Sequence, residues 1–351
     1  MDVNADIRFA SAAWLFGAQR RHGEAERAMT VRVEIANPEG ASLESRALLA
    51  ACRGALGPAL RALPLNRHSL RLSFVVDRIG RMRPRPSGIR CERVRFDGFD
   101  AEIVRPANRY RPLQDGAVLY LHGGAFMIGG LETHRPVVAG IAKRTGLAVL
   151  SVAYRQYPRT RVDGSVEDCL TAYRWLLRQG VDPGRIVVMG DSAGGFLTFA
   201  TALRAARRGL PMPAGLVGIS PLLDLDVSSV LMHRGPVRDA YLPERSLTGV
   251  SRLWTHGPAD PALSPMNCDL SPLPATLLIV AEDEVLRSDA EKFAHRLDRV
   301  GVPCRLQLWR GQVHAFPALA PAMPESCEAL STIAGFVSTR IARRPVVARI
   351  A

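Results

Sequence analysis

The chain has 351 residues, of which 47% are apolar and 23% charged; this is ordinary globular usage and excludes a disordered chain of low hydrophobicity and high charge density. No run of 18 or more apolar residues occurs, and Asp2, Asp6 and Arg8 precede a short apolar patch where a secretory signal would have a basic start and a clean hydrophobic region. The net charge of +13 rests on arginine, 17 of them in the first 95 residues against 9 Asp and Glu; with no nucleic-acid motif beside it, this charge is read as solvated surface and as support for neither a nucleic-acid nor a membrane partner.

Residues 1 to about 90 read as irregular and partly helical, with apolar clusters at 12–16 and 48–63, and end in an Arg/Pro-rich linker, RMRPRPSG. From residue 91 the pattern changes. Strand-like ERVRF and AEIVRP precede GAVLYLHGG, a short apolar core running into glycines. Helix-like HRPVVAGIAKRTG then leads to AVLSVAY, SVEDCLTAYRWLLRQG leads to RIVVMG, and a helix starting at Ser192 leads to LVGIS. Residues 221–270, rich in Pro, Asp and Ser, interrupt the rhythm as an insertion would. It resumes with ATLLIVA, a helix over about 289–300, RLQLW and a last helix over about 325–343. Alternation of this kind predicts a doubly wound, mostly parallel α/β sheet. Six cysteines (Cys52, Cys91, Cys169, Cys268, Cys304 and Cys327) lie far apart, without a CxxC pair or a histidine at ligand spacing. Neither a metal site nor a disulfide framework is expected, no cofactor is implied, and a reducing cytoplasm is the expected setting.

The local signals for chemistry lie at the ends of predicted strands. Gly190, Asp191, Ser192, Ala193, Gly194 and Gly195 have G-x-S-x-G spacing between a strand and a helix, where a sharp turn presents the serine and the helix N-terminus favours negative charge. About 70 residues earlier, His122, Gly123, Gly124, Ala125 and Phe126 follow the strand VLYL, where backbone amides of a glycine loop can receive an oxyanion. Gly123, Gly124 and Ala193 are the expected donors. A serine hydroxyl needs a base, and His314 lies in a loop (GQVHAF) after the last strand. His122 is read as a support of the glycine loop, and His22, His68, His134, His233, His256 and His295 as surface or structural. The acid that orients His314 should follow ATLLIVA, where Glu282, Asp283 and Glu284 stand in succession.

Taken together these motifs resemble the hormone-sensitive-lipase family of esterases, the GDXG lipolytic enzymes, over about residues 95–340. The resemblance rests on Gly190 to Gly195, on His122 to Ala125, and on Tyr154-Arg155 after the next strand. It implies an α/β-hydrolase fold with a helical cap, built from residues 1–90 and the insertion 221–270 around a catalytic domain over 91–351. Aligning EVLRSDAEKFA with the family's acid segment implies Glu284 as the acid, with Asp283 as the alternative. The chain departs from the family pattern at Ala315, where a glycine is usual, and after Tyr154-Arg155, where L-A-P-E is missing; the first 90 residues match no family feature. The implied activity is a serine carboxylesterase acting on small acyl esters through Ser192, His314 and Glu284. An amide, lactone or formamide hydrolase on the same residues and a non-catalytic ligand-binding homologue are the alternatives.

Overall fold

The computed structural model describes residues 31–62, 77, 80, 82, 84–227, 239–242, 247, 251, 253–255 and 261–342. The stretch read for a targeting signal lies outside the described residues, as do 228–238, 243–246, 248–250, 252 and 256–260 of the insertion and His22, His68, His233 and His256. Among the described residues no helix is long and apolar enough to cross a membrane.

The strands are β1 (Val31–Ile35), β2 (Ile89–Arg95), β3 (Asp100–Pro106), β4 (Ala117–Leu121), β5 (Ala148–Ala153), β6 (Ile186–Asp191), β7 (Gly215–Ile219), β8 (Thr276–Ala281) and β9 (Cys304–Trp309). The helices used below are α1 (Leu43–Ala51), α2 (Gly57–Ala62), α3 (Leu131–Thr145), α4 (Val162–Arg178), α5 (Ala193–Arg207), α6 (Arg287–Arg299), α7 (Phe316–Leu319) and α8 (Pro324–Ala342). Central strands are apolar on both faces. In β4, Ala117, Leu119 and Leu121 enter one core while Val118 and Tyr120 enter another, the two-residue alternation of a pleated strand. β8 divides in the same way, Leu278 and Val280 opposite Leu277 and Ile279. Strands buried on both sides need helices on both faces. Leu170 of α4, Phe196 and Phe199 of α5 and Phe293 of α6 supply one cover. Val137 and Ile141 of α3 with Leu330 and Ile333 of α8 supply the other.

The order across the sheet is β1-β9-β8-β7-β6-β4-β5-β3-β2. β3 runs antiparallel to both of its neighbours and the other pairings are parallel. Every strand read from the sequence after residue 91 is present, and together they form the α/β-hydrolase arrangement. The reading of residues 1–90 as an irregular and partly helical cap segment is corrected at one place, where the described residues include a strand. β1 is an edge strand of the catalytic sheet, in parallel register with β9 from Val31 opposite Cys304 to Ile35 opposite Leu308. Its five residues find their partner far along the chain, so no local pattern marks the pairing. Asn37 extends the junction, donating to Arg310 O at 2.9 Å and accepting from Arg310 N at 2.7 Å. Beyond it, the hydroxyls of Ser42 and Ser45 donate to Glu325 of α8 at 2.9 and 2.8 Å.

Candidate active site

β6 ends at Asp191 and α5 begins at Ala193, so Ser192 makes the whole turn between them. Its φ of +52° and ψ of −118° are a sparsely populated conformation for a residue with a side chain. The turn is held from β7 and beyond: Ser192 N donates to Ile219 O at 2.9 Å, and Ser192 O accepts from Leu222 N at 3.0 Å. It is also very tight. A Cβ on Gly194 would collide with Leu121 O, and one on Gly190 would collide with both Gly194 O and Leu121 O. That close approach, rather than flexibility, is what requires glycine at these two places. The Ala193 amide lies in the first turn of α5, where N–H groups have no intrahelical acceptor and the helix dipole favours negative charge.

Three neighbouring strands carry the rest of this side. Ser220 follows β7, Glu284 follows β8 and His314 follows β9, so parallel strands deliver all three to the same end of the sheet as Ser192. Glu284 Oε2 lies 3.3 Å from His314 Nδ1, with both residues buried. Ser220 joins the two loops: its hydroxyl donates to Glu284 Oε2 at 2.6 Å and accepts from Ala315 N at 2.9 Å. Asp283 does not share this position. It is 39% exposed and faces Arg53 at 3.8 Å. Burial opposes the charge on His314, but the Glu284 carboxylate outweighs it and holds the imidazole above its ordinary value of 6.5. For Glu284, burial dominates over His314 and Ser220 and raises the carboxyl. His314 Nε2 has no hydrogen-bond partner among the described residues, so the Ser192 hydroxyl is not bonded to it here. Such catalytic bonds commonly tighten only when substrate is bound.

On the other side of β6 lies β4, followed by the glycine loop. The Gly123 amide, assigned to an oxyanion hole from the sequence, is spent elsewhere: it donates to Asp191 Oδ1 at 3.0 Å. This corrects the donor set, because an amide bonded to a carboxylate is not free to meet an oxyanion. Gly124 N has no acceptor among the described residues, and a Cβ there would strike Ile128 O. Asp191 is buried; its Oδ1 accepts a further bond from the Tyr120 hydroxyl at 2.7 Å, and its Oδ2 faces His134 Nε2 at 3.4 Å. Burial raises its carboxyl, but His134 and Tyr120 outweigh that and the net direction is down. Tyr154 holds the loop from below. Its hydroxyl donates to His122 O at 2.7 Å and its ring stacks on the His122 imidazole, centroids 4.3 Å apart. Burial, reinforced by His134, pushes His122 down to about 3, so His122 is a neutral support whose Nδ1 meets Gly123 O at 2.7 Å. Arg155, the other half of the Tyr-Arg pair, chelates the buried Asp168 of α4. From the insertion, the Trp254 indole donates to Ala125 O at 2.7 Å and its ring meets Phe126 edge-on.

Sequence reasoning thus leads to Ser192, Glu284, His314, Gly124 and Ala193 at one end of the sheet. It missed Ser220, Asp191 and the task of His134. Asp191 was visible as the residue beside the nucleophile within its motif, and His134 as a histidine near the start of a helix. Ser220 carried only the signal of a serine directly after a strand. His295, on α6, is exposed.

Comparison with known proteins agrees with this fold. The family model described as the alpha/beta hydrolase fold matches residues 118–318. An acetyl-hydrolase of Streptomyces hygroscopicus is 36% identical over 243 residues, 68% of this chain and 79% of that protein. The esterase LipU of Mycobacterium tuberculosis is 35% identical over 277 residues, 75% of this chain and 91% of that protein. Among solved structures, an esterase from the bacterial hormone-sensitive lipase family superposes with a TM-score of 0.75 at 30% identity, covering 86% of this chain and 99% of that one.

Proposed function

The chain belongs to the α/β-hydrolase fold family, with the hormone-sensitive-lipase-like esterases, and is a carboxylic ester hydrolase; from that premise we propose that it cleaves small acyl esters through Ser192, His314 and Glu284. The Ser192 oxygen attacks the ester carbonyl carbon while its proton passes to His314 Nε2. Glu284, facing Nδ1, fixes the ring and stabilises the imidazolium that forms. The amides of Gly124 and Ala193 receive the oxyanion, and Gly123, bound to Asp191, keeps the loop in place. Collapse of the tetrahedral intermediate breaks the bond to the alcohol, which leaves with the proton from His314. Water, deprotonated by the same base, then releases the acid and restores the serine.

The observation that carries this reading is the buried 3.3 Å contact of Glu284 with His314 on loops adjoining the strained Ser192 turn. Resemblance to an acetyl-hydrolase supports a short acyl group. A cytoplasmic setting is part of the proposal and is supported by six free cysteines, four of them buried. Ser192→Ala is expected to stay folded, to lose labelling by a fluorophosphonate probe, and to lose on the order of 10⁶ in kcat toward p-nitrophenyl acetate. Undiminished labelling of that variant would refute the assignment. A p-nitrophenyl chain-length series with a matched amide resolves the acyl group and the bond cleaved: activity falling from acetate to longer chains, with the amide left intact, is the expected pattern.

A further inference from the structure

Residues 239–242 of the insertion reach beneath both loops of the acid–base pair. Asp239 is buried, and its Oδ1 closes a turn by accepting from Tyr241 N at 3.0 Å and Leu242 N at 2.9 Å. Its Oδ2 accepts from Val285 N at 3.1 Å, the amide directly after Glu284. Two residues on, the Tyr241 hydroxyl donates to His314 O at 2.9 Å, and the ring stands edge-on to the imidazole with centroids 6.1 Å apart. One short segment therefore grips the backbone of the acid loop at one end and of the base loop at the other. It is backed from behind by the N-terminal segment: α2 approaches so closely that a Cβ on Gly57 would lie 2.6 Å from Ala240 O.

Such a grip matters because the pair does not fix itself. Glu284 Oε1 and His314 Nε2 are buried without hydrogen-bond partners among the described residues, and Ser220 is the side chain that bridges the two loops from the sheet side. Their alignment must come from the backbones that carry them, and misplacement of a reacting group by about 1 Å can cost on the order of a hundredfold in rate. Asp239 and Tyr241 supply anchors from the cap side. Asp239 also adds negative charge near His314, which Glu284 and Asp191 face as well. Burial, then Asp239 and Glu284, keep the Tyr241 hydroxyl protonated and so a donor at any working pH. The Asp239 charge also reaches Cys52, whose thiol is raised by burial first and by Asp239 second.

We propose that Asp239 and Tyr241 are positioning residues through which the insertion sets the Glu284–His314 alignment and so contributes to turnover. The proposal rests on the reading of Ser192, Glu284 and His314 as the catalytic residues. It is tested on the full chain by steady-state kinetics of p-nitrophenyl acetate against pH for Tyr241→Phe and Asp239→Asn. Tyr241→Phe, which keeps the ring, is expected to lower kcat by roughly tenfold with KM unchanged within about twofold. Asp239→Asn should lower kcat likewise and move the acid limb of kcat/KM to lower pH, since a negative charge near the base is gone. Should Asp239→Asn not fold, Tyr241→Phe decides alone. A kcat within about twofold of wild type with an unmoved acid limb, or a change confined to KM, overturns the proposal whatever the melting temperature does. Fluorophosphonate labelling of wild type and Ser192→Ala separates the two failures. If wild type is not labelled, or the serine variant still is, the catalytic reading falls and this proposal with it; if labelling behaves and the two variants turn over normally, the positioning role alone is lost.

Discussion

Two histidine–carboxylate pairs flank Ser192, and they differ in how completely they are bonded. On one side His314 meets Glu284 at 3.3 Å; on the other His134 meets Asp191 at 3.4 Å. Asp191 Oδ1 accepts from a phenol and a backbone amide, its Oδ2 faces an imidazole, and its carboxyl is held below the usual range. Glu284 has one oxygen bonded to Ser220 and facing His314 and another with no partner among the described residues, and burial holds its carboxyl above the usual range. The same two chemical groups therefore make a saturated structural joint in one place and an unsaturated pair in the other. An imidazole that must take up a proton and give it back is served by the second kind, because spare capacity lets the ring respond to the charge that forms on it.

The contrast can be broken by neutralising each carboxylate in turn. Glu284→Gln should lower kcat by on the order of 10⁴, the loss expected when the residue orienting a catalytic histidine can no longer fix its tautomer. Its melting temperature should hold or rise, since burial already disfavours the charge that is removed. Asp191→Asn should show the reverse balance. Its rate loss, through release of the Gly123 amide and the loop it holds, should be about 10² to 10³, while breaking a buried, bonded charge pair should cost about 3 to 5 kcal/mol of stability. Calorimetry beside kinetics on the two variants measures both. Equal stability losses would show that the two pairs do not differ as described.

Varying pH sharpens the comparison with the smallest expected effect. Both histidines are held above the ordinary 6.5, in each case because the carboxylate outweighs burial. His314 acts as a base only when neutral, so kcat/KM should fall as pH drops through a value above 6.5. Stability should run the other way. A group whose folded-state value is raised contributes fully below its unfolded value and loses that contribution as pH rises through the folded one. Activity should therefore climb over an interval in which melting temperature declines. His134→Gln should flatten the stability slope while leaving the acid limb in place.

Much of the fold was legible because it is written in local pattern. Apolar strands alternating with amphipathic helices from residue 91 onward imply a parallel sheet, and the sheet's neighbours then bring the ends of β6, β7, β8 and β9 together. Gly190 to Gly195 and His122 to Phe126 were legible for a similar reason, since a tight turn and a glycine loop leave their constraint in consecutive residues. β1 was not read as a strand: Val31, Val33 and Ile35 alternate with Arg32 and Glu34, but the run is five residues long and its partner lies far along the chain, so nothing local ties it to the sheet. Glu284 against Asp283 was open from the residues alone, because adjacent carboxylates on a turn differ only in where the backbone points them; in the structure one is buried beside His314 and the other faces Arg53. The capture of the Gly123 amide by Asp191, the bridge at Ser220 and the contacts of Asp239 and Tyr241 were likewise decided in three dimensions. Sequence determined which groups the protein carries and the strand ends that present them. Tertiary structure decided which of those groups are already bonded, because hydrogen-bond partners are chosen by distance and direction across elements that the chain brings together only on folding.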